Sequence, residues 1–320
     1  MKKYLSTINV IIAQIGRFIF KIIKKYLPII IVVIILIGGF IFINKSASKE
    51  VSKKSSFVLN SFSKPRNCAR LPKFLYDAGF RRPIIDLSQM KYKAIAFYQG
   101  NKVFHKKAWE RFDYFGTYAI DNMGNIYLAP MPFISIKPTT FNLQKNIYKM
   151  DSFSGKIDIF MHFDDIKPSA NNPYGIISLV YDCSNNTLYA SAIDKTSFDG
   201  SKGRIYHIDI KSKEIIDKID NFDALTLAFI QTKDKKYLIA GSAFDSGVYI
   251  FVNKKPIKLF DLPNSQLRVR KIKVLGKDRL KLEAIKFSYT LIAQSTNKQR
   301  QDFEAIYNSK THTWKVLPTK

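Results

Sequence analysis

The alternation of apolar and polar residues changes period along this chain, and each change predicts a different element. Within residues 1–25, Thr7, Gln14, Arg17, Lys21 and Lys24 recur at helical spacing against Ile8, Ile11, Ile12, Ile15, Phe18, Ile19, Ile22 and Ile23. A basic amphipathic helix of this kind suits a membrane interface, with cations among head groups and the aliphatic side in the acyl boundary. The same pattern also fits a cytosolic extension of the helix that follows. From Tyr26 to Ile43 the chain reads YLPIIIVVIILIGGFIFI, without a charge. At about 1.5 Å per residue this covers roughly 27 Å, close to a hydrocarbon core, and predicts one transmembrane helix over 26–43. Pro28 falls in its first turn, where a missing N–H does no harm. Residues 44–63, NKSASKEVSKKSSFVLNSFS, hold no sustained period and read as a flexible tether.

Over residues 64–320 the period falls to two. Short alternating runs are divided by Gly, Asn, Asp and Ser turns, which is the pattern of an all-β domain. Tyr118–Ala129 (YAIDNMGNIYLA) predicts two strands about Asn122-Met123-Gly124-Asn125, and Ile147–Phe163 predicts two more about Ser154-Gly155. The pair returns as Gly175–Ala192 with Gly203–Ile219, then Leu225–Gly241 with Gly247–Leu262, then Lys271–Leu291 with Phe303–Leu317. A repeat of about 40 to 55 residues holding four strands is the length of a propeller blade. Cys68–Phe115 contributes at least one further hairpin, KAIAFYQGNKVFHKKAWERF. The expected architecture is therefore all-β, a β-propeller of five or six four-stranded blades, preceded by one N-terminal transmembrane helix.

The residues of these hairpins resemble a known superfamily. GTYAIDNMGNIYLA (Gly116–Ala129) and PYGIISLVYDCSNNTLYAS (Pro173–Ser191) resemble the inner-strand hairpins of NHL-type and gluconolactonase-like propellers, and IYHIDIKSKEI (Ile205–Ile215) resembles their outer hairpin. The resemblance runs over Gly116–Leu262 and implies a fold rather than an activity. Gluconolactonase-like enzymes hold a divalent metal in the channel with a Glu and several Asn or Asp, one Asn lying between a Pro and a Gly. Here Tyr174 stands at that position, in Asn172-Pro173-Tyr174-Gly175. That ligand is therefore missing, and a metal-dependent, lactonase-like hydrolase is only an alternative. Asn171, Asn172 and Asp223, which precede inner strands, read either as an oxygen-rich set for calcium or another divalent ion or as turn residues that satisfy their own backbone. No cofactor and no metal site is predicted outright. Asp194–Gly200 has the flavour of a calcium loop, but Phe198 replaces an oxygen ligand and the segment reads as a plain loop. His105, His162, His207 and His312 are isolated, and no Gly-X-Ser-X-Gly elbow occurs. No catalytic residue is predicted.

Composition adds compartment and charge. The 320 residues carry 52 Lys+Arg against 25 Asp+Glu, a formal charge of +27, with 46% apolar residues, which excludes wholesale disorder. Only 2 Cys and 4 His are present, so zinc ribbons and disulfide-dense mini-scaffolds are excluded too. Lys2, Lys3, Arg17, Lys21, Lys24 and Lys25 precede the span with no acid among them, which favours a cytosolic N-terminus and an extracytoplasmic domain, periplasmic or cell-surface. Lys45, Lys49, Lys53 and Lys54 blunt that asymmetry, and Ser46-Ala47-Ser48 leaves a cleaved signal peptide as the other reading. Cys68 and Cys183 would then face an oxidising space, either as a disulfide or as two buried thiols.

Charge also marks one hairpin. Ile272, Val274, Leu280 and Leu282 share one face, so Lys271, Lys273, Arg279 and Lys281 share the other. Like charges across strands cost stability, so this cluster predicts an anionic partner: lipid head groups, an envelope polymer or an acidic protein. Nucleic acid is not expected outside the cytosol. The function expected is a membrane-anchored module that binds or scaffolds a protein or an anionic envelope polymer, rather than an enzyme. Its funnel would offer Tyr114, Thr117, Asn172, Tyr174, Asp223 and Arg268.

Overall fold

Short polar side chains end the strands by taking over the backbone's hydrogen bonds. Asp121 Oδ1 accepts from the N–H groups of Met123 and Asn125, each at 2.8 Å. Asp151 Oδ1 accepts from Phe153 and Ser154 at 3.1 and 2.8 Å, and Asp209 Oδ1 from Lys211 and Ser212 at 2.8 and 2.7 Å. Asn308 Oδ1 does the same for Lys310 and Thr311. Each such turn reverses the chain within a few residues, so the runs between them pair as antiparallel hairpins. Gly124, at φ +84°, takes the left-handed position that the Asp121 turn requires.

The structure is a computed structural model, which describes residues 57–87, 91–112, 114–131, 141–169, 172–194, 196, 200–289 and 300–319. The amphipathic segment 1–25 and the span 26–43 lie outside these residues. No helix among the described residues is long and apolar enough to cross a membrane. Val58–Lys320 forms one unit.

That unit is an all-β propeller of five blades. The first holds β2 (Ile84–Asp86), β3 (Ala96–Gln99) and β4 (Lys102–Phe104), following α1 (Lys73–Asp77). The second runs β5 (Phe115–Ile120), β6 (Ile126–Pro130), β7 (Asn146–Met150), β8 (Ile157–His162); the third β9 (Ile176–Asp182), β10 (Thr187–Ala192), β11 (Arg204–Asp209), β12 (Ile215–Asp220). The fourth is β13 (Ala224–Thr232), β14 (Lys236–Ser242), β15 (Gly247–Val252), β16 (Lys255–Asp261), and the fifth β17 (Leu267–Gly276), β18 (Arg279–Lys286), β19 (Gln301–Asn308), β20 (Thr313–Thr319). The hairpins anticipated from period two therefore appear in order. Among the described residues, the first blade differs from expectation in having three strands rather than four.

Facing blades bury aromatic and branched side chains between them. Phe74, Phe97 and Trp109 join Phe115, Leu128 and Tyr148 between the first and second blades. Tyr127 and Phe160 meet Leu188 and Tyr206 between the second and third, and Ile205 meets Leu227 and Phe251 between the third and fourth. Phe260 and Trp314, with ring centroids 4.6 Å apart, join the fourth to the fifth. A Cβ on Gly175 would lie 2.0 Å from the Gln144 carbonyl oxygen, so this seam admits only glycine.

The N-terminal end of the unit crosses this assembly. Phe62–Ser63 forms a short strand, β1, lying antiparallel to β13, with Phe62 opposite Thr232. Phe62 and Leu59 are buried at 2% and 4% exposure. Residues 57–63, expected at the end of a tether, thus include a strand seated on the blades; apolar Val58, Leu59 and Phe62 are what separates them from the polar run before. From there the chain touches the ends of successive inner strands. Asp278, just past β17, accepts from Ser61 Oγ and Phe62 N at 2.8 and 2.7 Å. Cys68 is joined to Cys183, just past β9, in a disulfide with Cα atoms 6.0 Å apart. Arg70 N donates to the carbonyl of Asp121, just past β5, and Phe74 N to Ser152 O. We call Ser61–Arg70 the strap. It ties the fifth, fourth, third and second blades on one side of the ring.

Candidate functional site

Inner strands β5, β9, β13 and β17 surround the axis, so two ends of the axis are candidate sites. At the end where these strands begin lie the funnel residues expected from sequence. Asn172 and Asp223 are 4% and 1% exposed. Asn172 Nδ2 donates to the Ile193 carbonyl at 2.6 Å. Asp223 accepts from Thr196 Oγ1 and Gly203 N, each at 2.6 Å, and from the Tyr289 hydroxyl. Burial and the adjacent Asp223 carboxylate hold the Tyr289 phenol well above its ordinary pKa. The polar atoms of Asn172 and Asp223 are thereby committed to the protein's own loops. The Tyr174 ring packs tilted against Phe287, with centroids 5.3 Å apart, and burial pushes its phenol up to about 12 despite the opposing field of Arg270. Arg268 donates to the carbonyls of Ala243, Ser265 and Leu267. Tyr114 and Thr117 belong to the second blade, Thr117 opposite Ala129, and Lys93 lies 5.9 Å from the Tyr114 ring. The structure therefore gathers Tyr174, Asp223 and Arg268 at one end of the axis, but as supports for loops and rings.

The basic hairpin keeps the alternation expected of it. Ile272 and Val274 oppose Leu282 and Leu280 on the buried face, and Lys273 opposes Lys281 on the exposed one. What period two could not reveal is the neighbouring strand. Arg279 pairs with Glu304, Lys281 Nζ with Asp302 at 3.2 Å, and Arg300 with Glu283 at 2.8 Å. Acids from β18 and β19 thus offset half the cluster. Lys271 and Lys273 stay exposed on β17 and make no ion pair with a described residue.

Lys273 belongs instead to a cleft at the other end of the axis, where the inner strands finish. The strap floors this cleft with Lys64, Pro65, Arg66 and Asn67. Tyr118, Leu179, Leu227, Phe229 and Val274 are among its walls, and its volume is about 370 Å³. No acidic side chain is among its lining residues. Tyr118 is 39% exposed, and burial of its hydroxyl raises its pKa. Sequence reasoning passed over Lys64 and Arg66 because they lie at the boundary drawn between tether and domain. The available signal was the apolar set Phe57, Val58, Leu59 and Phe62 in an otherwise Ser- and Lys-rich run, only a few positions from Cys68.

Other polar clusters are structural. Arg204, at 7% side-chain exposure, lies between Asp165 and Asp194 and fills with a guanidinium the place a cation would take; Asp194 Oδ2 also accepts from Lys167 N at 2.7 Å. Asn171 and residues 197–199, which completed the oxygen-donor sets considered from sequence, lie outside the described residues. Among the described residues, no group of three or more His, Cys, Asp and Glu is arranged to hold a metal. His105 contacts Glu110, His162 Asn146, His207 Thr187 and His312 Tyr307, each in a separate place.

Comparison with known proteins adds little to this geometry. No protein-family model matches the chain, and no curated protein does. Solved structures similar to it include a nidogen/laminin complex, at 12% identity and a TM-score of 0.42 over 63% of this chain and 69% of that one. Hsv2 of Kluyvelomyces marxianus aligns at 13% identity and a TM-score of 0.31, over 74% and 71% of the two chains. Dihydro-heme d1 dehydrogenase NirN in complex with DHE aligns at 10% identity and a TM-score of 0.34, over 83% and 67%. Likeness at this level carries nothing about function.

Proposed function

We propose that this chain is a binding module anchored to a membrane through residues 26–43, with its propeller outside the cytosol, and that it engages an anionic partner at the strap end of the axis. The observation that carries the reading is the cleft floored by Lys64 and Arg66 and edged by Lys273, with no acidic side chain in its lining. Unpaired cations grouped around a concavity raise the local concentration of anions. The Cys68–Cys183 disulfide supports the compartment, because such bonds persist where the surroundings are oxidising. The propeller supports the role, since its loops and channel ends serve as binding surfaces across many unrelated functions.

The test uses the full chain in discs of zwitterionic phospholipid, applied to beads carrying polyglutamate. Retention that weakens as salt rises, and that falls at least tenfold in Arg66→Glu/Lys273→Glu, is the expected result. Retention indifferent to both changes would remove the anionic partner from the account. Labelling of Cys68→Ser at Cys183 by a membrane-impermeant thiol reagent in intact cells tests the compartment. Modification is expected, and complete resistance until the cells are lysed would place the propeller inside.

A further inference from the structure

The cleft floored by the strap has a shape and a distribution of charge that narrow the class of partner. Its interior is apolar, built from Leu179 on β9, Leu227 and Phe229 on β13, and Val274 on β17. Its cations stand apart from that interior. Lys64 and Arg66 belong to the strap and Lys273 to β17; all are exposed, and none makes an ion pair with a described residue. A volume of about 370 Å³ lies at the small-molecule end of ligand sites, which run to roughly 1,000 Å³. An extended peptide would need a free strand edge to hold its backbone. The edge of β13 at this end already pairs with Phe62 and Ser63. A polyanion with no apolar part would meet the cations and make no use of the apolar edges that Leu179, Leu227, Phe229 and Val274, largely buried at 5–9% exposure, still present to the cleft.

We infer that the cleft takes an anionic amphiphile: one carboxylate or phosphate group carried on an alkyl or aryl body. The anion lies among Lys64, Arg66 and Lys273, and the body covers Leu179, Leu227 and Phe229. The inference rests on the binding role proposed above and supplies it with a ligand class. Two physical consequences separate it from general attraction of anions. Affinity rises with chain length, by about fourfold for each buried methylene at ordinary transfer free energies. Selectivity between head groups follows their sign, because the lining offers cations and no acid.

Calorimetric titration of the full chain in zwitterionic discs, with the heats of empty discs subtracted, tests both. Octyl phosphate is expected to bind one to one, and hexyl phosphate, two methylenes shorter, about fifteenfold more weakly. Octyltrimethylammonium is expected to give no saturable heat. Arg66→Glu/Lys273→Glu should weaken octyl phosphate at least tenfold and gain response to octyltrimethylammonium, a reversal that simple misfolding does not produce. Repeating the octyl phosphate titration in discs doped with phosphatidic acid locates the source: competition indicates a membrane lipid, undiminished heat a soluble molecule. Equal heats from both amphiphiles, or affinity independent of chain length, would overturn the inference. If octyl phosphate is silent while polyglutamate beads still retain the chain through Arg66 and Lys273, the amphiphile fails and the anion-binding module stands. If neither binds, both fall.

Discussion

Phe62 holds the strap in place. It is buried at 2% exposure, with its ring 5.7 Å from Trp314 and 6.2 Å from Tyr307, while its N–H and carbonyl both bond to Asp278. Phe62→Ala leaves a cavity between the fourth and fifth blades and is expected to cost about 3–5 kcal/mol in denaturant unfolding. Ser63→Ala, on the exposed side of the same strand, is expected to change stability by less than about 0.5 kcal/mol. The turn carboxylates give a pH dependence of definite sign. Asp151 lies below its ordinary 3.8, chiefly because the Ser154 N–H donates to it, with burial acting the other way. Its folded value is depressed, so its contribution is complete above the unfolded value and is lost as pH falls through the folded one. Thermal melts below about pH 4 should therefore decline less steeply in Asp151→Asn than in the parent chain.

Hairpins were the most legible feature of this sequence, because side-chain alternation and Asx turns are both local. Tyr118–Ala129 and Ile147–Phe163 could be read as strand pairs, and they form β5–β6 and β7–β8. Interactions brought about by the third strand of a sheet were not legible. Period two placed Lys281 on a basic face, but Glu304 opposite it and Asp302 within 3.2 Å belong to β19 and come from the next hairpin. Exposed pairs of this kind contribute little, and Lys281→Ala is expected to shift unfolding by under about 1 kcal/mol. The first blade was legible in its β3–β4 hairpin but not in its strand count, since its short strands depend on Phe74 and Trp109 from outside the sheet. Gly175 shows how a seam between blades is written in one residue. A methyl group there would meet the Gln144 backbone oxygen, which cannot swing aside, and Gly175→Ala is expected to cost about 1–3 kcal/mol in the same unfolding assay.

Propeller blades share their cores with their neighbours, so the ring depends on whatever ties it round. Here the strap does this, bonded in turn to Asp278, Thr232, Cys183 and Asp121, and it also floors the cleft. The candidate site was legible only in part: Lys273 was singled out for its charge, whereas Lys64 and Arg66 acquire a role only once the strap brings them across the axis. Cys68 and Cys183 are 115 residues apart, so their bond restricts a long loop of the unfolded chain. Its loss in Cys68→Ser is expected to cost about 3–5 kcal/mol. The most direct measurement is amide hydrogen exchange of the oxidised, full-length chain at Phe62, Arg70 and Phe74, whose N–H groups bond to Asp278, Asp121 and Ser152. All three are expected to exchange slowly, with the core strands, and to lose protection together on reduction. Exchange of Phe62 or Arg70 at the rate of an unprotected amide in the oxidised chain would contradict the strap, and with it the cleft that it floors.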